Sequence, residues 1–323
     1  MNGFSPSRIL AWGLLVVLAP FVLAQDKPLE RSFSAGASAS YRIQLTVRSE
    51  VTGHETQRIG VKTYVKPFSR AADYSLAWTA TRRVVSVDPV GTAEIEETLE
   101  DFGRLGLSST PEDPEAAKLA GALREACGKW GVARVLRYRE TPAGQLLGLA
   151  SDGVPLLDEE LPRVLSLWLL RALRPTAALP VAAIRFREPW QEPRAVRLPN
   201  WGEASGSESG EWLEANESSE PAVRLHLVQQ ISGTVASGAE KPPEGTAQAH
   251  FYGESLNTVS LGDARLLAAV RSATREITWT LAPVEGLPER PQFRGRLSVE
   301  VRIEACNEGP CQSAGRSAVR SNR

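Results

Sequence analysis

Three histidines, three cysteines and two acidic runs are the residues whose types could do chemistry. A zinc site needs ligands at close spacing, such as two histidines on one helical face. His54 falls in the turn Thr52-Gly53-His54, His226 on the polar face of a strand, and His250 between Ala249 and Phe251. No metal site is expected from that spread. The first acidic run holds Glu94, Glu96, Glu97, Glu100 and Asp101, and the second Asp158, Glu159 and Glu160. Paired carboxylates are the acid and base of glycoside hydrolysis. The same residues also suit a solvated strand edge and a helix N-terminus, where acidic side chains meet the positive end of the helix dipole. Gly206-Ser207-Glu208-Ser209-Gly210 places glutamate where a G-x-S-x-G elbow needs its nucleophile. Ser-x-x-Lys and a phosphate-binding glycine loop are both missing from the chain. No catalytic residue and no cofactor follow from these patterns.

Cys306 and Cys311 are spaced to join across Asn307-Glu308-Gly309-Pro310, whose Gly-Pro turns the chain tightly. Such a short closed loop makes a local staple. Cys127 falls on the apolar stripe of a predicted helix and reads as a buried thiol.

The larger aromatics fall mainly on apolar faces, where they either fill a core or line an apolar ligand cavity. The cavity candidates are Tyr41, Tyr74, Trp78, Leu165, Trp168, Leu169 and Trp279. Three of them sit on a predicted helix from Asp158 to Leu173, whose Leu161, Val164, Leu165, Trp168, Leu169 and Ala172 make one apolar face. Leu167 and Leu170 widen that face, and Pro175 stops the helix. A helix apolar around most of its girth must pack on a sheet or roof a cavity.

The elements that position these residues follow from periodicity. Arg8, the apolar run Ile9 to Val22 and the small residues before Gln25 have the layout of a secretory signal peptide over residues 1–24. Residues 25–39 read as a flexible lead. From residue 40 to 199 we expect a β-meander with two helices. Tyr41, Ile43, Leu45 and Val47 alternate with Arg42, Gln44, Thr46 and Arg48, the period of a half-buried antiparallel strand. The other predicted helix runs from Asp113 to about Trp130 on a capping Asp113 and Pro114. Residues 200–221, rich in Gly, Ser and Glu, read as an acidic loop. Residues 222–311 read as a second β-meander completing the same domain, with Leu297, Val299, Val301 and Ile303 in clear alternation. Residues 312–323 read as a disordered tail. The expected class is α+β, mostly antiparallel: a curved sheet or half-barrel of meanders with two packing helices.

The composition, 42% hydrophobic and 23% charged, is that of a globular protein. Lys+Arg is 37 against Asp+Glu 38. So balanced a chain lacks the field that draws in nucleic acid. No integral membrane span is expected once the leader is cleaved, and the product would be periplasmic or extracellular.

The strand-turn-strand from Val84 through Asp88-Pro89-Val90-Gly91 to Ile95, with the stretch Leu179 to Trp190, resembles a set of secreted bacterial β-rich proteins of unknown function. The order of elements also resembles the LolA-like lipoprotein carriers, whose half-barrel holds acyl chains under helices. That resemblance implies a non-enzymatic exported protein binding an apolar small molecule or an envelope protein, and it carries no functional residue over. An exported hydrolase using the acidic runs is the alternative.

Overall fold

Alternating apolar residues at positions 41–47 and 297–303 do form strands, and they are hydrogen-bonded neighbours. In the computed structural model, β1 (Ser38–Ile59) pairs antiparallel with β12 (Gln292–Ala305), so that Ile43 faces Ile303 and Leu45 faces Val301. On its other side β1 pairs with β2 (Lys62–Val87), setting Ile43 against Trp78 and Leu45 against Leu76. These cross-strand rows are the centre of the core. The structure describes residues 28–59, 62–100, 106–109, 134–148, 168, 171–180, 187–198, 202–214, 220–234, 245–281 and 292–306.

One sheet contains all the strands among the described residues. Outward from β2 run β3 (Ala93–Glu100), β5 (Arg134–Glu140) and the short β6 (Leu146–Leu147), while β4 (Gly106–Ser109) pairs with β2 off this path. Outward from β12 run β11 (Leu266–Leu281), β10 (Gly245–Ser260), β9 (Ala222–Thr234), β8 (Gly202–Glu214) and β7 (Trp190–Leu198). Every pairing is antiparallel, and β6 and β7 stand at the two ends of an unclosed sheet. The β1–β12 pairing joins the two predicted meanders into one body.

This sheet is strongly curled. β5 and β11 are five strands apart, about 24 Å if the sheet were flat. Yet the Arg31 side chain bonds Glu140 at the end of β5 and, through Nε at 3.0 Å, the carbonyl of Ala264 just before β11. The inner face therefore wraps around residues 28–37 and 171–180.

The α+β expectation is corrected by this architecture. The described residues hold a single antiparallel sheet and no helix element; helical backbone occurs only at Trp168, Arg171 and Ala172. The helix predicted over Asp113–Trp130 lies outside the described residues, as does most of the one predicted over Asp158–Leu173. Among the described residues the covering layer is irregular chain. Leu29 and Arg31 come from the stretch expected to be a flexible lead, and Leu173, Arg174, Thr176, Ala177 and Leu179 from beyond the predicted helix; all are buried. Gly144, at φ +73°, lets this layer dock: a Cβ there would lie 2.0 Å from the Ala177 carbonyl oxygen. The acidic loop expected at 200–221 is largely the strand β8.

Candidate functional site

A cavity of about 710 Å³ lies inside the curl, within the size range of small-molecule sites. It forms where the inward side chains of two neighbouring strands shrink. On β10 the inward row passes from Phe251 to Gly253, Ser255 and Asn257, and on β9 Leu227, Gln229 and Ile231 face the same space. Trp168, Ala172 and Ala177 close it from the covering layer, and Leu146 and Leu147 from the far end of the sheet. Trp168 fits there because β10 offers a glycine: a Cβ on Gly253 would sit 3.2 Å from Trp168 Nε1.

Arg271 reaches this cavity from β11. Its Nε donates to Asn257 Oδ1 at 2.9 Å, and Nη1 donates to the carbonyls of Ala172 at 2.7 Å, Arg174 at 3.0 Å and Arg171 at 3.3 Å. Nη2 donates to the Thr176 carbonyl. Burial, then repulsion from Arg31, pulls the guanidinium down to about 9.

Behind the cavity wall lies a buried ionic network. Glu140 accepts from Arg31, Arg82 and the Thr176 hydroxyl. Glu97 accepts from Arg174 at 2.6 Å and from the Tyr138 hydroxyl at 2.8 Å. Burial, then the Glu97 charge, pushes Tyr138 well above the usual tyrosine value. Removing one partner of such a pair leaves a charge stranded in low dielectric, so the network clamps the covering layer onto β2, β3 and β5.

Of the sequence-predicted cavity residues, Trp168 lines the cavity. Tyr41 and Trp78 are buried in the core, and Trp279 packs against Gly295 away from the cavity lining. The side chain of Tyr74, and all of Leu165 and Leu169, lie outside the described residues. Glu97 belongs to the first acidic run, whereas Arg271, Glu140 and Arg82 belong to no motif, although a signal marks all but Glu140. Arg271 interrupts the inward row Ala269–Ala273, Arg82 the row Ala80–Val84, and Glu97 the row Ile95–Leu99. A charge on an apolar row of period two marks a buried ion pair or site.

The remaining chemistry-bearing residues are dispersed. His226 lies on the outer face, Nδ1 3.2 Å from Glu211 and Nε2 3.0 Å from Glu254, and His250 Nδ1 lies 3.0 Å from the Ser232 hydroxyl. His54 is exposed on β1 rather than in a turn. Among the described residues no group of three or more His, Cys, Asp or Glu is placed to hold a metal ion. Glu96 pairs with Arg137 at 2.9 Å and Glu94 accepts from Ser86 at 3.1 Å. The second acidic run, Cys127 and Cys311 lie outside the described residues. No described helix is long and apolar enough to cross a membrane.

No protein-family model matches the chain, and no curated protein matches it. Among solved structures, one similar chain is the β-barrel domain of the InvG secretin from the Salmonella SPI-1 injectisome, at 8% identity and a TM-score of 0.14. The match covers 86% of this chain and 66% of that one, just under two thirds of its length. Likeness of that degree carries no argument about fold or function.

Proposed function

We propose that this is an exported, non-enzymatic binding protein that takes an apolar or amphipathic small molecule into the cavity of its curled sheet. The observation that carries the reading is the cavity itself: about 710 Å³, with an apolar wall of Trp168, Leu227, Ile231 and Phe251 beside polar side chains such as Arg171, Glu208, Gln229 and Arg271. Such an apolar wall favours apolar surface leaving water, at about 25 cal/mol per Å². Export rests on the leader-like residues 1–24. The Cys306–Cys311 bridge belongs to the same reading. Cys306 sits at the end of β12 with its N–H donating to Ser40 O at 2.8 Å, where a covalent loop would secure the strand end.

The test uses N-phenyl-1-naphthylamine, a neutral apolar fluorophore, titrated into the mature chain. Saturable, one-site enhancement is expected, and Ser255→Trp, which puts an indole on the cavity wall between Gly253 and Asn257, should abolish it while leaving the circular dichroism unchanged. No enhancement in the unsubstituted chain, or equal enhancement in both proteins, would sink the reading.

A further inference from the structure

Resting on the cavity reading above, we infer that the ligand is an amphiphile with an anionic headgroup, held with that group toward Arg271 and Arg171 and its tail along Phe251, Ile231 and Leu227. The argument is one of unbalanced charge. Among the described residues four arginines are buried, Arg31, Arg82, Arg174 and Arg271, against two buried carboxylates, Glu97 and Glu140. Both carboxylates are taken: Glu140 by Arg31 and Arg82, Glu97 by Arg174. Arg271, the one of the four that borders the cavity, is met by carbonyl and amide oxygens and by no carboxylate among the described residues. Carbonyl dipoles solvate a guanidinium without neutralising it, and in a low dielectric the attraction for a nearby anion is strong.

Arg171 adds a second cation to the same wall. Its side chain is exposed, it borders the cavity, and no described carboxylate lies within ion-pair reach of it. The acidic residues of the lining sit elsewhere. Glu254 turns its carboxylate to His226 at 3.0 Å and to the Tyr252 hydroxyl at 3.4 Å on the outer face. Glu208 stands on β8, three strands from the β11 that bears Arg271. The cavity is therefore cationic on the side of β11 and the covering layer and acidic toward β8, with Phe251, Ile231 and Leu227 standing beside Gln229 and Ser255 on the strands between. An anionic headgroup has one favourable end, and a cationic one is repelled there. The charge of a bound anion would also offset the desolvation and the Arg31 repulsion that draw Arg271 down to about 9.

Three amphiphiles sharing a ten-carbon chain separate the headgroup from the cavity: decanoate, decanol and decyltrimethylammonium, each titrated calorimetrically into the mature chain, the two ions below their micelle concentrations and decanol below its solubility limit. Decanoate is expected to bind about tenfold more tightly than decanol, and the ammonium most weakly. Arg171→Gln, an exposed change that spares the fold, should weaken decanoate by about threefold and leave decanol unaltered. Equal binding of decanoate and decanol, or preference for the ammonium, overturns the headgroup assignment while the cavity reading stands. Decanoate binding unmoved by Arg171→Gln also overturns it. Binding of none of the three overturns both.

Discussion

Tyr138 and Tyr41 are the groups through which the buried network reports on itself. Tyr138 donates to Glu97, and an ionised phenol beside that carboxylate would put two negative charges in one dry site. Burial first, then Glu97, raises Tyr138; burial raises Tyr41 against the lowering effect of Arg82 and Arg31. Each keeps its proton in the folded state where the unfolded chain has lost it. Its contribution to stability is whole below about pH 10 and is lost as pH rises through the folded value. Arg271 acts in the opposite sense: drawn down to about 9, it makes folding less costly as pH climbs beyond that value. Overall stability mixes the two, so the clean readout is tyrosinate absorbance. Of the five tyrosines, Tyr41 and Tyr138 should ionise late and together with loss of the near-ultraviolet circular dichroism. A chain whose tyrosines all ionise near pH 10 while that signal is intact would refute the buried placement.

Strand β8 shows how an element escapes a reading by composition. Its Gly, Ser and Glu residues look like a loop, yet they complete a sheet, because small inward positions make room for neighbours' large side chains. Gly210 lies opposite Trp190 of β7, and a Cβ there would come within 2.4 Å of the indole and 2.9 Å of Leu227. Gly206 is closed off by the Gln230 carbonyl in the same way. Gly210→Ala should accordingly displace Trp190 and loosen β7, destabilising by about 1–3 kcal/mol. Hydrogen exchange should localise the loss to β7 and β8, whereas unchanged protection there would contradict the packing. Elements with apolar residues at period two, such as β1 and β12, were legible because one buried face leaves that mark. Trp168 stands instead on an apolar run of helical spacing, and it borders the cavity. Small-residue strands leave no such mark, and an apolar run of helical spacing does not say which segment will cover a curled face. The cationic wall of the cavity leaves a weaker mark, because a single arginine on an apolar row differs from its neighbours at one position only.

At the scale of the molecule, the curl needs a clasp, and Arg31 supplies it. An open sheet with one apolar face must cover that face with another layer or bend upon itself. Here β5 and the turn before β11 meet at a single side chain, Arg31, reinforced by backbone bonds from Arg31 N to Pro142 O at 2.8 Å and from Ser32 N to Asp263 O at 3.2 Å. Arg31→Met preserves much of the side chain's length and apolar contact while removing its bonds to Glu140, Thr176 and Ala264. Glu140 then retains Arg82 and the Thr176 hydroxyl, so the carboxylate is weakened in its pairing rather than stranded. The cost should therefore fall at or below the about 3–5 kcal/mol typical of breaking a buried pair. Its distribution is the sharper expectation. The β1–β2 and β11–β12 pairings run the length of their strands and do not depend on the clasp. Residues 141–148 and 261–265, which the clasp ties across the curl, do. Native-state hydrogen exchange on Arg31→Met should show these two stretches opening well below the global unfolding free energy, with the central strands still protected. Protection lost evenly from every strand would mean that the curl is held by the core alone and that the clasp is incidental.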